Sequence, residues 1–390
     1  MKKKFALAAL ALTSSAVLAA CGAAPSSSSS SAGNPIGDTI KIGYNLELSG
    51  AVAAYGQQEK NGADLAVEEI NAAGGVDGKK IEVISKDNKS DNSEAATLST
   101  SLATESKVNL IFGPATSGAT AAASPNATSA GVPLLTASGT QDDLTVKNGK
   151  VEEFVFRTTF QDSFQGQVIS QYATDNLSSK KAFVYYDGSS DYAKGLYKAF
   201  KEAYKGEIIE EAYQSGDKDF QAALTKVKDQ DFDTVVLLGY YTEAGLITKQ
   251  AREMGIDQPI LGPDGFSDEK FIEGAGAANT KNVFYVAGYS TSVKLSEAKS
   301  DNFIKAYTEK FGEEPNMFAA LAYDSIYMAA EAAKGAKDSK ELAANLAALK
   351  DFDGVTGKMT IDENHNPVKS AIMVELEDGK QKSATAVEIK

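Results

Sequence analysis

The 390-residue chain has one cysteine, one histidine, no tryptophan and two arginines, Arg157 and Arg252. A single cysteine rules out a disulfide within the chain and any C-x-x-C redox or zinc site. The histidine, His365 in "IDENHNP", leaves no Cys/His pair and no convincing Ser-His-acid triad. Beside Asn and Pro it reads as a solvated loop residue. No H-E-x-x-H, G-x-S-x-G or Walker A pattern occurs. "GAGAAN", from Gly274, lacks the third glycine and the preceding strand of a dinucleotide fingerprint. "DNKSDNSEAATL" has Asn92 and Leu98 where a calcium loop needs glycine and a bidentate glutamate. The expectation is no enzyme, no cofactor and no metal site. Basic charge is also short, with 39 Lys and Arg against 53 Asp and Glu, a net −14. Such a surface repels phosphate backbones and argues against nucleic acid. The scarcity of arginine further removes the usual bidentate clamp for a carboxylate or phosphate.

The sole cysteine has a telling position. "MKKKFALAALALTSSAVLA" places three lysines before an apolar core of signal-peptide length. That core is too short and alanine-rich for a membrane-spanning helix. Leu18, Ala19 and Ala20 before Cys21 read as a lipobox, so residues 1–20 form a lipoprotein signal peptide and Cys21 carries lipid. Cleavage removes three lysines and no acid, taking the charge from −14 to −17. Ser26 to Ser31 cannot bury apolar surface, and residues 21–37 read as a flexible lipidated tether. Several acyl chains on one cysteine suffice for stable anchoring.

From Thr39 onward, short β-branched runs alternate with amphipathic ones. "TIKIGYNL", "KIEVISKD", "VNLIFGP" and "VPLLTAS" read as strands, separated by helical patterns that include "NSEAATLSTSLATES" and "TSGATAAASPNATSAG". The pattern restarts after "EFVFRTT" with "KAFVYYD", "EIIEEAYQ", "DTVVLLGYY" and "QPILGPDG". Two such units make two α/β lobes, each a doubly wound parallel sheet with helices on both faces. Three helical stretches and the strand-like "GKMTI", "SAIMVELED" and "ATAVEIK" then suggest that the chain end crosses back between lobes.

Two Gly/Ser/Thr stretches, "FGPATSGAT" and "TASGTQDDLT", directly follow strands. In open parallel sheets ligands bind beyond the carboxyl ends of strands, and a helix N-terminus there suits an anion. A carboxylate could be held this way without arginine; either stretch alone is explained by capping and turn chemistry. In the second lobe Asp264, in "LGPDGF", is placed to hold a cation or to occupy a turn. Tyr55, Tyr192, Tyr240 and Phe318 lie near strand ends or helix starts, where each alone would be packing.

These stretches carry a family likeness. "GYNLELSGAVAAYGQQEKNGADLAVEEINAAGGVDGKKIEVISKD", "FGPATSGATAAAS", "LLTASGT", "YYDGSSDYAKGL", "LLGYYTEAGLITKQAREMG" and "ILGPDGF" resemble, in order, the type I periplasmic binding proteins for branched-chain amino acids. The resemblance implies two lobes joined by a three-segment hinge: residues 38–158 with 288–364, and 159–287 with 365–390. It implies a monomeric substrate-binding lipoprotein on the extracellular face of a Gram-positive-type membrane, capturing Leu, Ile or Val for an ABC permease and its ATPase. Ser117 maps to the carboxylate-binding serine, Ser138 and Thr140 to the following loop, and Asp264 to the ammonium acceptor, where the family often has glutamate. Tyr55, Tyr192, Tyr240 and Phe318 would line the aliphatic pocket. The alternatives are another small aliphatic amino acid or amide, or an extracellular sensor of the same fold.

Overall fold

The β-branched runs pair into two sheets in the computed structural model, which describes residues 33–387; the lipobox, Cys21 and the serine run lie outside the described residues. These described residues fall in one unit spanning Ser31–Lys390. The first sheet contains β1 (Thr39–Leu46), β2 (Lys80–Asp87), β3 (Leu110–Phe112), β4 (Leu134–Thr136) and β5 (Val155–Arg157). It is parallel, in the order β2-β1-β3-β4-β5. Helices α1 (Ala53–Ala72), α2 (Asn92–Thr104) and α3 (Ser117–Ala130) connect its strands. The three short strands β3, β4 and β5 are buried along their whole length, which explains why their apolar residues run consecutively rather than alternate, with Thr136 and Arg157 as the buried polar ends of β4 and β5.

The second sheet contains β6 (Lys181–Asp187), β7 (Glu207–Tyr213), β8 (Thr234–Leu238), β9 (Ile260–Gly262), β10 (Val283–Ala287), β11 (Ala371–Glu377) and β12 (Lys380–Val387). Its order is β7-β6-β8-β9-β10-β11-β12. The first five strands of that sheet run parallel, and β11 and β12 add antiparallel at one edge. Helices α4 (Asp162–Asp175), α5 (Asp191–Ala203), α6 (Gln221–Val227), α7 (Tyr241–Glu253) and α8 (Glu269–Ala275) belong to this half. The strand order reverses direction beside β1 and β3 in one sheet and beside β6 and β8 in the other. Ligand crevices of doubly wound sheets open at such switch points.

The chain passes between the sheets after β5, after β10 and before β11. Between the second and third passages lie α9 (Glu297–Phe311), α10 (Met317–Ala333) and α11 (Ser339–Ala347), and α10 packs along α1 of the first sheet. The two helices come close at Gly62, where a Cβ would fall 1.9 Å from the Ala319 carbonyl oxygen. Gly62→Ala is therefore expected to destabilise the fold by about 1–3 kcal/mol, the cost of overpacking against backbone. An unchanged thermal midpoint would contradict that packing.

Three local expectations change. His365 is buried, not solvated: its ring stacks on Phe156 at 4.2 Å and 16°, and Nδ1 lies 3.1 Å from the carbonyl oxygens of Glu152 and Val155. Two carbonyls around one ring nitrogen require Nδ1–H as donor. "GKMTI" contributes not to a main sheet but to a hairpin of Phe352–Gly354 with Gly357–Met359. The last part of the expected tether is docked: Asn34 is buried, its N–H donates to Ser339 Oγ at 2.8 Å, and its side chain donates to the Ala103 and Val108 carbonyls.

Candidate ligand-binding cleft

Carboxyl ends of strands from both sheets face one narrow cleft with an empty volume of about 240 Å³. It is lined by Tyr55, Ala115, Thr116, Ser117, Ser138, Tyr192, Tyr240, Asp264, Gly265 and Phe318. Seven of the eight residues expected from sequence thus come together, although they span positions 55 to 318. Thr140 is the exception. It is buried beside the cleft, and its Oγ1 has no hydrogen-bond partner.

On the first-sheet side, Ser117 opens α3. Its Oγ accepts from the Thr140 and Gln141 N–H groups, each at 3.2 Å. No acceptor is assigned to its own proton, which leaves that proton able to donate into the cleft. The amides ahead of it are engaged by a residue the sequence reading passed over. Glu47, just beyond β1, is buried and accepts from Ala115 N (3.0 Å), Thr116 N (3.1 Å) and Thr116 Oγ1 (2.8 Å). Burial pushes its carboxyl upward, against the pull of these donors. The first N–H to bond back inside α3 is Thr120, to Thr116 O at 2.9 Å. The first-turn N–H groups of Ser117, Gly118 and Ala119 are therefore the helix-start amides without an intrahelical acceptor.

Arg157, one of the chain's two arginines, supports the second loop from behind. It is fully buried and donates to the carbonyls of Gly139 (3.1 Å) and Gln141 (2.7 Å). Burial lowers its guanidinium pKa to about 10, with Asp162 the strongest opposing charge. The arginine thus holds the 138–141 loop through its carbonyls.

On the second-sheet side, Asp264 is buried and its Oδ1 accepts from Tyr192 Oη and from Gln165 Nε2 at 3.1 Å. Gln165 Oε1 in turn accepts from Asp264 N at 3.0 Å. Both side-chain donors converge on Oδ1. Burial raises the Asp264 pKa to about 6, with the bonds from Tyr192 and Gln165 acting the other way. Tyr192 also accepts from Gly265 N at 3.1 Å and stacks on Tyr240 at 5.0 Å and 4°.

Tyr55 bridges the two halves. Its Oη donates to Gly265 O at 2.6 Å and accepts from Tyr241 N at 3.2 Å, while its ring stacks on Phe318 at 4.3 Å. Tyr241 Oη and Thr242 Oγ1 both donate to Ala51 O, at 3.2 and 3.1 Å. Such direct contacts across the mouth describe a closed arrangement.

Sequence reasoning also missed Asp162, which begins α4 right after the first passage between sheets. It is fully buried, both carboxyl oxygens lack partners, and its N–H donates to Thr140 O at 2.9 Å. The Thr140 hydroxyl lies close to this carboxyl but outside hydrogen-bond geometry. Burial, with added repulsion from Asp264, pushes Asp162 well above the usual carboxylate range. Its helix-start position resembled an ordinary capping acid, so no local signal marked it.

A roomier cavity, with an empty volume of about 1400 Å³, lies beside Glu69, Tyr323, Tyr327 and Asp324. Glu69 and Asp324 there are already served: Tyr323 and Tyr327 donate to Glu69, and Val355 N, Thr356 N and Thr356 Oγ1 donate to Asp324. Among the described residues no group of three or more His, Cys, Asp or Glu is placed to hold a metal. No described helix is long and apolar enough to cross a membrane.

Two doubly wound lobes, three connections and a polar-and-aromatic cleft at both switch points define a two-lobed ligand-binding receptor. Residues 39–381 match the family model described as periplasmic binding protein, and the chain belongs to that family. It is 31% identical over 328 residues, 83% of this chain and 88% of the relative, to the Leu/Ile/Val-binding protein BraC3 of Rhizobium johnstonii. The branched-chain amino acid transporter substrate-binding protein LivJ of Streptococcus pneumoniae, solved in complex with isoleucine, shares 56% identity and a TM-score of 0.86. That match covers 90% of this chain and 99% of LivJ. The leucine-binding protein LivK of Thermotoga maritima shares 30% identity and a TM-score of 0.83, covering 90% and 98%.

Proposed function

We propose that the protein captures leucine, isoleucine or valine between its lobes and delivers it to an ABC permease. The supporting observation is the paired chemistry of the cleft: a free hydroxyl proton and helix-start amides on one lobe, and a buried carboxylate on the other. An α-amino acid carries the complementary carboxylate and ammonium. Tyr55, Tyr192, Tyr240 and Phe318 supply apolar walls for a short aliphatic side chain. The Asp162 carboxyl and the Thr140 hydroxyl, buried beside the cleft without side-chain hydrogen-bond partners, add unsatisfied polar groups to the ammonium side of this reading. The binding step needs no covalent chemistry from the chain.

Ligand contacts on both lobes favour closure, because a ligand shifts an equilibrium by its differential affinity for the two states. Solution scattering is expected to give a smaller radius of gyration at saturating leucine than without it. An unchanged radius at saturation would argue for a rigid binding module instead.

The lipobox reading of Leu18–Cys21 extends the proposal to location: an extracellular monomer held on the cell membrane by lipid, as in Gram-positive cells. Cys21→Ala is expected to release the protein from membranes or stall its processing. A variant that fractionates with membranes as firmly as the parent would remove the anchor.

A further inference from the structure

We infer that Glu59 is a positioning residue of the cleft, held as a neutral carboxylic acid that donates its proton to Ser138 Oγ and makes that hydroxyl an acceptor toward the ligand. The ligand part of this inference rests on the amino-acid reading above; the protonation part does not.

The argument is a count of protons. Glu59, on α1, is fully buried, and its Oε1 lies 2.5 Å from Ser138 Oγ. Ser138 Oγ lies 2.8 Å from the Ala115 carbonyl oxygen. A hydroxyl has one proton, while a carboxylate and a carbonyl are both pure acceptors. An ionised Glu59 therefore leaves one of these two contacts without a hydrogen. It would also bury a charge on a single bond, because Glu59 Oε2 has no partner. The charged neighbour bearing on it is another acid, Glu47. Glu47 differs in having three donors of its own. With the proton on Glu59 the chain closes: Glu59 donates to Ser138, and Ser138 donates to Ala115 O. Burial pushes the Glu59 carboxyl well up, more than Ser138 pulls it down, in keeping with that state.

The consequence is polarity. Ser138 has spent its proton and keeps a lone pair, whereas Ser117 accepts two N–H bonds and keeps its proton. Two serines in one cleft thus present opposite faces. Ser117, a donor, suits the carboxylate end of an amino acid, and Ser138, an acceptor, suits the ammonium end.

Infrared difference spectroscopy of the ligand-free protein at neutral pH tests the protonation. Parent minus Glu59→Gln is expected to show a protonated-carboxyl band that shifts in D2O. No such band means an ionised Glu59 and overturns the inference, whatever the ligand. Leucine titrations test the positioning. Glu59→Gln keeps a donor to Ser138 and is expected to hold affinity within about threefold, while Glu59→Met loses about tenfold. In a Ser138→Ala background Glu59→Met is expected to cost nothing further. An equal loss in both backgrounds means that Glu59 acts through packing alone and overturns the positioning role. A parent chain that does not bind leucine defeats the amino-acid reading, and the infrared result still decides the protonation of Glu59.

Discussion

Asp264→Asn is expected to lower leucine affinity by more than about a hundredfold. Removing one partner of a buried, hydrogen-bonded charge pair costs about 2–5 kcal/mol, since the ammonium then sits desolvated and uncompensated. Asparagine keeps the shape of the side chain and an oxygen for Tyr192, so the loss is expected in binding and not in folding. The pH dependence gives the same prediction a sign. Asp264 has a folded pKa of about 6 against 3.8 unfolded, so between these values the folded chain holds a proton that the unfolded chain has released. Its contribution to ligand-free stability is fully present below pH 3.8 and is lost as pH rises through 6, on the order of 3 kcal/mol. Ligand-free Asp264→Asn should therefore be more stable than the parent at neutral pH, and the gap should close as the pH falls. Leucine affinity runs the other way. It should weaken as pH falls through 6 in the parent, because a protonated Asp264 cannot pair with an ammonium, and stay flatter in the variant. Equal leucine affinities of parent and variant at pH 7 by calorimetry would remove Asp264 from the site.

Ser117→Ala carries the second-largest expected effect, a weakening of leucine by about ten- to a hundredfold. Hydrogen bonds to charged groups contribute about 1.5–3 kcal/mol each. The hydroxyl also accepts from Thr140 N and Gln141 N, so its removal leaves those two amides without that partner as well as losing the donor. The first-turn amides of α3 remain, so binding is reduced and not abolished. Leucine amide, with no negative charge, should bind the parent far worse than leucine does and respond less to the mutation. Equal binding of leucine and its amide would contradict the carboxylate assignment.

The cleft was legible where local chemistry and topology agree. Gly/Ser/Thr-rich turns after apolar strands mark the open end of a parallel sheet, and the strand-end position marked Asp264; within those turns it was the family resemblance that singled out Ser117 and Ser138. The aromatics became a wall through partners far apart in sequence: Tyr55 meets Gly265 across 210 positions. Buried acids were illegible for the same reason. Glu59 sits among Gln57, Gln58 and Lys60 and looks like any solvated helix residue; its side-chain partner is Ser138, 79 residues away. His365 is likewise buried by Phe156 and by the strand-end carbonyls of another segment. Arg157 was noted for its rarity, but its task of holding two loop carbonyls follows from where β5 ends.

Calorimetric titration of the mature protein with leucine, isoleucine and valine, and with leucine amide and a non-aliphatic amino acid as contrasts, tests the central claim most directly. The account predicts one site per chain, tight for the three branched-chain amino acids and much weaker for both contrasts. A protein that binds none of the three, or binds leucine amide as tightly as leucine, would contradict it.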